Sequence, residues 1–148
     1  MRHRFLLVTL VLVTAALLIS CNAVDKVHSQ QKTQLAPETT YADGARRITI
    51  PELEELMKNK EVLVLDVRNQ AMYDSGHIPG SRLIPLGDVP KRMHELNSAD
   101  EIVVHCRSGV RSAQAVGLLM GAGFRKIYNL KGGVLAWADQ VDPTMPKY

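Results

Sequence analysis

The residues with the clearest chemical potential lie in one short segment, Cys106 to Ser112, with the sequence CRSGVRS. Cys106 follows a β-branched-rich apolar run and precedes an apolar helical pattern, so we expect it in a strand-to-helix loop. Backbone N–H groups converge in such a loop, and the helix N-terminus adds a positive dipole. Arg107 and Arg111 contribute further positive charge. These features predict a thiol of lowered pKa that reacts as a thiolate.

The small number of cysteines also needs an explanation. The chain has 2 cysteines, Cys21 and Cys106. Cys21 follows an apolar N-terminal run and is predicted to be lipidated, which would leave Cys106 without a disulfide partner. A lone thiol in an exported protein is open to oxidation, so either burial or chemistry must account for it. A core cysteine that only fills space is the alternative. The two nearby arginines favour chemistry.

Other titratable residues are interpreted as structural. Asp66 lies at the end of a predicted strand, where we expect it to bind backbone groups or pair with an arginine such as Arg68 rather than to act in catalysis. His77 and His105 are interpreted as hydrogen-bonded histidines of a turn and of the core. The histidines and Cys106 do not show the spacing of metal ligands, so neither a metal site nor a cofactor is predicted.

The elements that must position these residues alternate between short apolar runs and helical patterns. Two β-branched-rich runs, Glu61–Asp66 and Glu101–His105, are typical of buried parallel strands. Three further short strands are predicted at Arg47–Ile50, Arg82–Ile84 and Lys126–Asn129. The alternation predicts an α/β fold with a mainly parallel five-stranded sheet and helices on both faces. Ligands bind such sheets at the carboxyl ends of the strands, where Cys106 lies.

Four helices are predicted around these strands. Pro51 opens the first, and three acidic residues are assigned to its first turn: Glu52, Glu54 and Glu55. Asp88 is expected to cap the second, which has apolar residues at positions i, i+4 and i+7: Val89, Met93 and Leu96. The third, Arg111–Ala122, is apolar on most sides, which predicts burial, and the last is Gly133–Gln140.

The segment CRSGVRS resembles the active-site loop of the single-domain rhodaneses, the thiosulfate sulfurtransferase family. Two further segments are similar to family signatures: LDVRNQAMYDSGHIPGS (Leu65 to Ser81) and NLKGGVLAW (Asn129 to Trp137). Met72 stands where an acidic residue is common, and Ser81 where alanine is usual; we expect both to affect packing rather than chemistry. The resemblance implies a rhodanese-like domain, assigned to residues 45–141, followed by a tail at 142–148.

The resemblance also implies a two-step transfer without a cofactor. Cys106 attacks the sulfane sulfur of a small anionic donor such as thiosulfate or a persulfide, and a thiol or cyanide acceptor then takes the sulfur from the Cys106 persulfide. Backbone N–H groups hold the persulfide anion, and Arg111 is expected to hold the sulfonate. The residues expected to bind the donor are the rest of the loop: Arg107, Ser108, Gly109, Val110, Arg111 and Ser112.

Two other functions are considered. A non-catalytic or partner-dependent rhodanese module would deliver or sense sulfur; retention of Cys106 favours the enzyme, but a carrier supplied by another protein stays open. Related phosphatases and arsenate reductases use a His-Cys-x5-Arg loop. Here Arg111 falls at Cys-x4-Arg and Ser112 takes the x5 position, so the loop is one residue short of a phosphate cradle.

The N-terminus has the pattern of an export signal. Phe5 to Ile19 is an apolar run interrupted by two threonines, shorter than the about 20 residues that span a membrane. The sequence LISC, ending at Cys21, resembles a bacterial lipobox, so residues 1–20 are predicted to be a lipoprotein signal peptide and Cys21 to be lipidated. An ordinary signal peptide is the alternative. We expect a lipid-membrane anchor, a polar tether at 21–44 and a domain that faces the periplasm.

The charge of the chain argues against a nucleic-acid partner. The net charge is +3, but Arg2 and Arg4 lie in the predicted signal peptide. Without them 16 basic residues face 15 acidic ones, a net charge of +1. A near-neutral domain without a basic run offers little for phosphate backbones.

Overall fold

The computed structural model describes residues 46–59 and 62–147 of the chain. Within those ranges five strands are present: β1 (Arg46–Ile48), β2 (Val62–Asp66), β3 (Arg82–Leu83), β4 (Glu101–His105) and β5 (Ile127–Leu130). The α-helices of the same ranges are α1 (Ile50–Lys58), α2 (Gln70–Ser75), α3 (Val89–Arg92), α4 (Val110–Gly121) and α5 (Gly133–Gln140). Two 3₁₀ turns, Leu86–Asp88 and Met93–Glu95, flank α3.

The strands form one parallel sheet in the order β1-β5-β4-β2-β3. The register sets Asp66 of β2 beside His105 of β4, and Val104 of β4 beside Asn129 of β5. The carboxyl ends of the three central strands therefore meet at one edge of the sheet, where Cys106 follows β4.

The core lies on both faces of this sheet. Because successive side chains of a strand point to opposite faces, Val104 packs in one cluster with Ala115 and Leu119 of α4. Val103 packs in the other cluster with Leu53 of α1, together with residues of α5. The predicted five-stranded parallel sheet with helices on both faces is confirmed.

The predicted start of the first helix was wrong by one residue, and one acidic residue lies in its first turn instead of the three that were predicted. The helix begins at Ile50, which the sequence assigned to a strand, and Glu52 is the acidic residue of its first turn. The Glu52 carboxylate accepts hydrogen bonds from the Thr49 backbone N–H at 2.6 Å and the Thr49 hydroxyl at 2.7 Å. This capping arrangement begins the helix before Pro51, so Glu54 and Glu55 fall beyond the first turn.

The predicted helix after Asp88 is instead a single α-helical turn between two 3₁₀ turns. Asp88 does not cap it with its side chain, because its backbone is already in the helical region (φ −97°, ψ −12°), whereas a capping residue is extended. Val89 and Leu96 are nonetheless buried and Met93 is half-buried, so the apolar spacing identified the face that packs on the core.

Helix α2 was not predicted from the sequence. None of its six residues is buried, so it shows no apolar periodicity. Its start is set by Asn69, whose side-chain oxygen accepts a hydrogen bond from the Met72 N–H at 2.9 Å.

The segment assigned to a tail turns back onto the domain. Met145 is 7% exposed and belongs to the core cluster that contains Trp137. The N–H groups of Val141 and Asp142 both donate to the Trp137 carbonyl, which extends the end of α5 into this segment.

The predicted signal peptide, the lipidation site Cys21 and the tether lie outside the described residues, as does Glu61 at the start of the predicted second strand. In the described part of the chain, the helices are too short or too polar to cross a bilayer.

Candidate active site

The Cys106 side chain lies at the floor of the loop between β4 and α4. The residue is 1% exposed, because it closes one of the two core clusters. Its Sγ accepts a hydrogen bond from the Gly109 N–H at 3.2 Å and lies 3.5 Å from the Ser112 hydroxyl oxygen. Ser112 is the third residue of α4, so the sulfur lies against the helix N-terminus as expected from the sequence.

The loop carbonyls are held by groups outside the loop. The Val134 N–H donates to the Cys106 carbonyl at 2.9 Å, and the Leu135 N–H donates to the Arg107 carbonyl at 3.1 Å. Both donors belong to the first turn of α5, whose N–H groups have no partner within the helix. With these carbonyls bound to α5, the N–H groups that follow are left to face the sulfur.

Two glycines permit this arrangement. Gly109 has φ +102° and Gly133 has φ +57°, in the left-handed region that other residues avoid. A Cβ atom on Gly133 would lie 2.5 Å from the Cys106 carbonyl oxygen and 2.6 Å from that of Arg107. This turn therefore brings the backbone at the start of α5 into contact with the backbone of the loop.

Asn129 is a site residue that sequence reasoning missed. It is 2% exposed at the end of β5, where its Nδ2 donates to the Gly109 carbonyl at 2.9 Å. Its Oδ1 accepts from the Ser112 hydroxyl at 2.7 Å. One amide thus holds both a loop carbonyl and the hydroxyl beside the thiol. A buried asparagine on a strand that leads into a Gly-Gly turn was the available signal.

The Ser112 hydroxyl has one hydrogen and two neighbours, Asn129 Oδ1 and Cys106 Sγ. While Cys106 is a neutral thiol, this hydrogen satisfies Asn129 and the S–H can donate to the hydroxyl oxygen. When Cys106 is an anion, the hydroxyl can turn its hydrogen to sulfur. The arrangement therefore accommodates both protonation states.

The pKa of Cys106 is lowered from its ordinary value. Burial by itself raises the pKa, because it disfavours the charged thiolate. The Ser112 hydroxyl and the backbone N–H groups of Ser112, Gly109 and Ser108 outweigh burial by donating to the sulfur. The hydrogen-bond donors of the loop therefore favour the thiolate, which is the nucleophilic form of cysteine.

The other predicted loop residues lie on the outside of this cradle. Arg107, Ser108 and Val110 are exposed, and Val110 is 68% exposed. Arg111 is half-buried, and its Nη2 lies 3.8 Å from the Sδ of Met72 on α2. Met72, which is expected to affect packing, packs against the side chain that is predicted to bind the donor.

Asp66 and Arg68 form a buried ion pair beneath the same edge of the sheet. Arg68 Nη2 donates to Asp66 Oδ2 at 2.7 Å, and its Nε donates to the same oxygen at 2.9 Å. The Arg68 backbone N–H also donates to Asp66, at 2.9 Å. Arg68 Nη2 further donates to the Gly76 carbonyl at 2.7 Å, which ties the end of α2 to the sheet.

His105 lies between this ion pair and the nucleophile and is completely buried. Burial lowers its pKa to about 4, although the nearby Asp66 carboxylate opposes the shift. Its Nε2 lies 3.6 Å from Asp66 Oδ2, and its Nδ1 lies 3.4 Å from the Cys106 carbonyl. The imidazole is therefore neutral at pH 7 and is a core group beside the loop.

His77 lies on the α2 side of the site. Its ring stacks on that of Tyr73 at 3.9 Å between centroids, and its Nδ1 bonds the Tyr73 carbonyl at 2.9 Å. Across the described ranges, no group of three His, Cys, Asp or Glu side chains is arranged to hold a metal ion.

Comparison with known proteins identifies similar sequences and folds. Residues 49–140 match the family described as Rhodanese-like domain. A sulfurtransferase of Allochromatium vinosum is 39% identical over 85 residues, which are 57% of this chain and 79% of that protein. The thiosulfate sulfurtransferase GlpE of Pseudoalteromonas translucida is 32% identical over 92 residues, 62% of this chain and 88% of that protein. A rhodanese-related protein of Thermoplasma volcanium has a crystal structure with a TM-score of 0.61 and 31% identity, covering 65% of this chain and 93% of that chain.

Proposed function

This chain belongs to the rhodanese-like family, and we propose that it is a sulfurtransferase that carries a sulfane sulfur on Cys106. The observation that carries the proposal is the convergence of the Gly109 N–H and the Ser112 hydroxyl on one buried sulfur. Relatives named as sulfurtransferases support sulfur transfer as the reaction. Thiosulfate as the donor is our more specific proposal, supported by the name of one relative and by Arg111 beside the loop.

In the first step the Cys106 thiolate attacks the outer sulfur of thiosulfate. The new bond joins Sγ to this sulfur, the S–S bond of thiosulfate breaks, and its electron pair leaves with sulfite. Cys106 is then a persulfide with one negative charge. The N–H groups that favour the thiolate are placed to stabilise this anion as well.

In the second step an acceptor nucleophile takes the terminal sulfur. A thiolate becomes a persulfide, or cyanide becomes thiocyanate, and the electron pair of the S–S bond returns to Cys106 as thiolate. Cys106 carries one negative charge both as the thiolate and as the persulfide, so the same hydrogen-bond donors serve both steps. No second cysteine is needed.

The size of the loop supports sulfur rather than a phosphoryl group. The Gly109 nitrogen lies 3.2 Å from Sγ, so the loop donors converge at the scale of a single sulfur atom. Helix α4 begins at Val110, only four residues after Cys106. Arg111, at the Cys-x4-Arg position, is proposed to bind the sulfonate of the donor.

Mass spectrometry tests the central step. The purified protein is exposed to thiosulfate, and we expect the mass of one sulfur atom to appear on the peptide that contains Cys106. Cys106→Ser is the matched variant, since serine is nearly isosteric and forms no persulfide; it should fold but neither gain sulfur nor release thiocyanate. Sulfur transfer above background in Cys106→Ser would contradict the mechanism. A folded wild type that gains sulfur only from a persulfide protein would favour the carrier alternative.

We further propose that the domain is held at a bacterial membrane, facing the periplasm, by lipid on Cys21. The apolar run Phe5–Ile19 followed by the LISC sequence supports this proposal. Two or three acyl chains, at about 0.8 kcal/mol per buried CH2, anchor a protein stably. Metabolic palmitate labelling should mark the wild type and not Cys21→Ala; unlabelled wild type processed at another residue would favour the ordinary signal peptide.

A further inference from the structure

Arg111 differs from three other buried or half-buried arginines in the partner of its guanidinium. Arg68 pairs with Asp66, and Arg82 and Arg92 both pair with Glu95. In the part of the chain that the structure describes, no carboxylate forms an ion pair with Arg111. Its side-chain contact is the Met72 thioether at 3.8 Å, a weak acceptor that carries no charge.

The position of Met72 is well defined by its surroundings. Asn69 accepts a hydrogen bond from the Met72 N–H at the start of α2, and Arg68 binds the Gly76 carbonyl at its end. The acidic residue of α2, Asp74, is held by Gln70 at 2.7 Å on the exposed side. The side chain that α2 brings to Arg111 is therefore the neutral thioether.

We propose that Met72 is a specificity-determining residue that makes the site prefer anionic reactants. It packs against the guanidinium without neutralising it, so that the positive charge beside the loop is available to an incoming anion. For the sulfur transfer proposed above, on which this part rests, the consequence is a preference for a donor with an anionic leaving group, such as thiosulfate, over a donor that lacks the sulfonate.

The position of Arg111 in the loop explains how this charge reaches the reaction. Arg111 directly precedes Ser112, whose hydroxyl lies 3.5 Å from the Cys106 sulfur. Both residues belong to the first turn of α4, so the guanidinium charge is carried at the same end of the helix as the sulfur. A carboxylate at position 72 would compete with that anion for Arg111.

Three substitutions separate charge from shape. Met72→Glu introduces a carboxylate close to Arg111, Met72→Gln has the same shape without the charge, and Met72→Leu keeps an apolar side chain. The first readout is independent of sulfur transfer: the rate of Cys106 alkylation by anionic iodoacetate, divided by the rate with neutral iodoacetamide. The second is kcat/KM with thiosulfate, compared with the persulfide of a thiol that carries no other charge.

We expect Met72→Glu to lower the alkylation ratio about tenfold, equivalent to about 1.4 kcal/mol. The selectivity for thiosulfate should fall by a similar factor, and both effects should shrink at high salt. Met72→Gln and Met72→Leu should stay within about twofold of the wild type. Equal effects of glutamate and glutamine, or an unchanged ratio in a folded Met72→Glu protein, would overturn the proposal.

The two readouts also separate this inference from the proposed function. If thiosulfate leaves no sulfur on wild-type Cys106, the proposed donor is wrong, while the alkylation ratio still decides whether Met72 controls the anion preference. If sulfur transfer is intact but the ratio does not respond to Met72→Glu, the inference fails and the proposed function stands.

Discussion

The carbonyl oxygen of Cys106 accepts a hydrogen bond from the backbone N–H of Val134 at 2.9 Å. The predicted nucleophile is thus held by the first turn of a helix that follows it by more than twenty residues. A carbonyl and the next N–H share one peptide plane, so this bond fixes the Arg107 N–H, and the bond from Leu135 to the Arg107 carbonyl fixes the Ser108 N–H, which donates to the sulfur. The start of α5 is therefore part of the site without contacting the sulfur.

Gly133→Ala should disturb this contact directly. The new Cβ would lie 2.5 Å from the Cys106 carbonyl oxygen, at a residue with φ +57°, so either the loop or α5 must move. A displacement of about 1 Å at the reacting group can cost on the order of 100-fold in rate. We expect a drop of that order in kcat/KM for thiosulfate.

Gly117→Ala is the control for that substitution. Gly117 is a residue of α4 with nothing within 4 Å of its Cβ position, so alanine should raise the free energy of unfolding by about 0.5–1 kcal/mol. Equal activity of the two variants would show that the close approach at Gly133 does not hold the loop.

Ser112→Ala should raise the pKa of Cys106. The iodoacetamide reaction rate follows the thiolate fraction, so its pH midpoint in the wild type should lie below the ordinary pKa of cysteine. Loss of the hydroxyl removes one donor to the thiolate and should move the midpoint upward. Ser108→Ala keeps its backbone N–H and has an exposed side chain, so it should leave the midpoint in place.

The same lowered pKa makes the stability of the protein depend on pH. The contribution of the thiolate to folding is fully present above the pKa of the unfolded chain and is lost as the pH falls through the folded pKa. Urea unfolding at a series of pH values should show this dependence in the wild type and a weaker one in Ser112→Ala. If the pH midpoint of alkylation in Ser112→Ala equals that of the wild type, the hydroxyl does not stabilise the anion.

Asn129→Ala should loosen the loop from β5. It leaves the Gly109 carbonyl and the Ser112 hydroxyl without their buried partner, which should lower the free energy of unfolding by about 2 kcal/mol or more. If Asn129 has a purely structural role, only the free energy of unfolding should change. A positioning role also predicts a lower kcat and a shifted pH midpoint of alkylation in the folded variant. Asn97→Ala, which removes an exposed amide bonded to Asp100, is the control and should change neither.

Arg111→Ala should raise the KM for thiosulfate, because the proposed contact of the guanidinium is with the sulfonate. The persulfide of an uncharged thiol lacks that group and should be affected less. Steady-state kinetics on the two donors measure the difference. If both donors slow equally, Arg111 maintains the shape of the loop and does not bind the donor.

Asp66→Asn should destabilise the fold, because it leaves the Arg68 guanidinium buried without its counter-ion. Removal of one partner of a buried pair costs about 3–5 kcal/mol. Glu55→Gln at the exposed Lys58–Glu55 pair should change stability by about 0.5 kcal/mol or less. Urea unfolding compares the two. An Asp66→Asn protein as stable as the wild type but slower in sulfur transfer would assign Asp66 to catalysis.

Much of the architecture follows from local sequence. The β-branched run Glu101–His105 and the apolar stretch after it predicted a strand and a helix with Cys106 between them, and the structure places these elements within one residue of the prediction. Such features depend on side-chain periodicity, which neighbouring residues determine. Where burial was absent, as in α2, the periodicity was absent too, and the helix was missed.

The contacts that complete the site were decided by the tertiary structure. Asn129 reaches the loop because β5 pairs with β4 in a register that places it beside Val104. Met72 reaches Arg111 across 39 positions of sequence. No local sequence pattern encodes these contacts, since they depend on strand order and on how the elements pack. The sequence by itself therefore predicted the candidate nucleophile and the positive charge of its loop, whereas the fold decided which side chains and backbone groups hold that loop and that an uncharged thioether contacts Arg111.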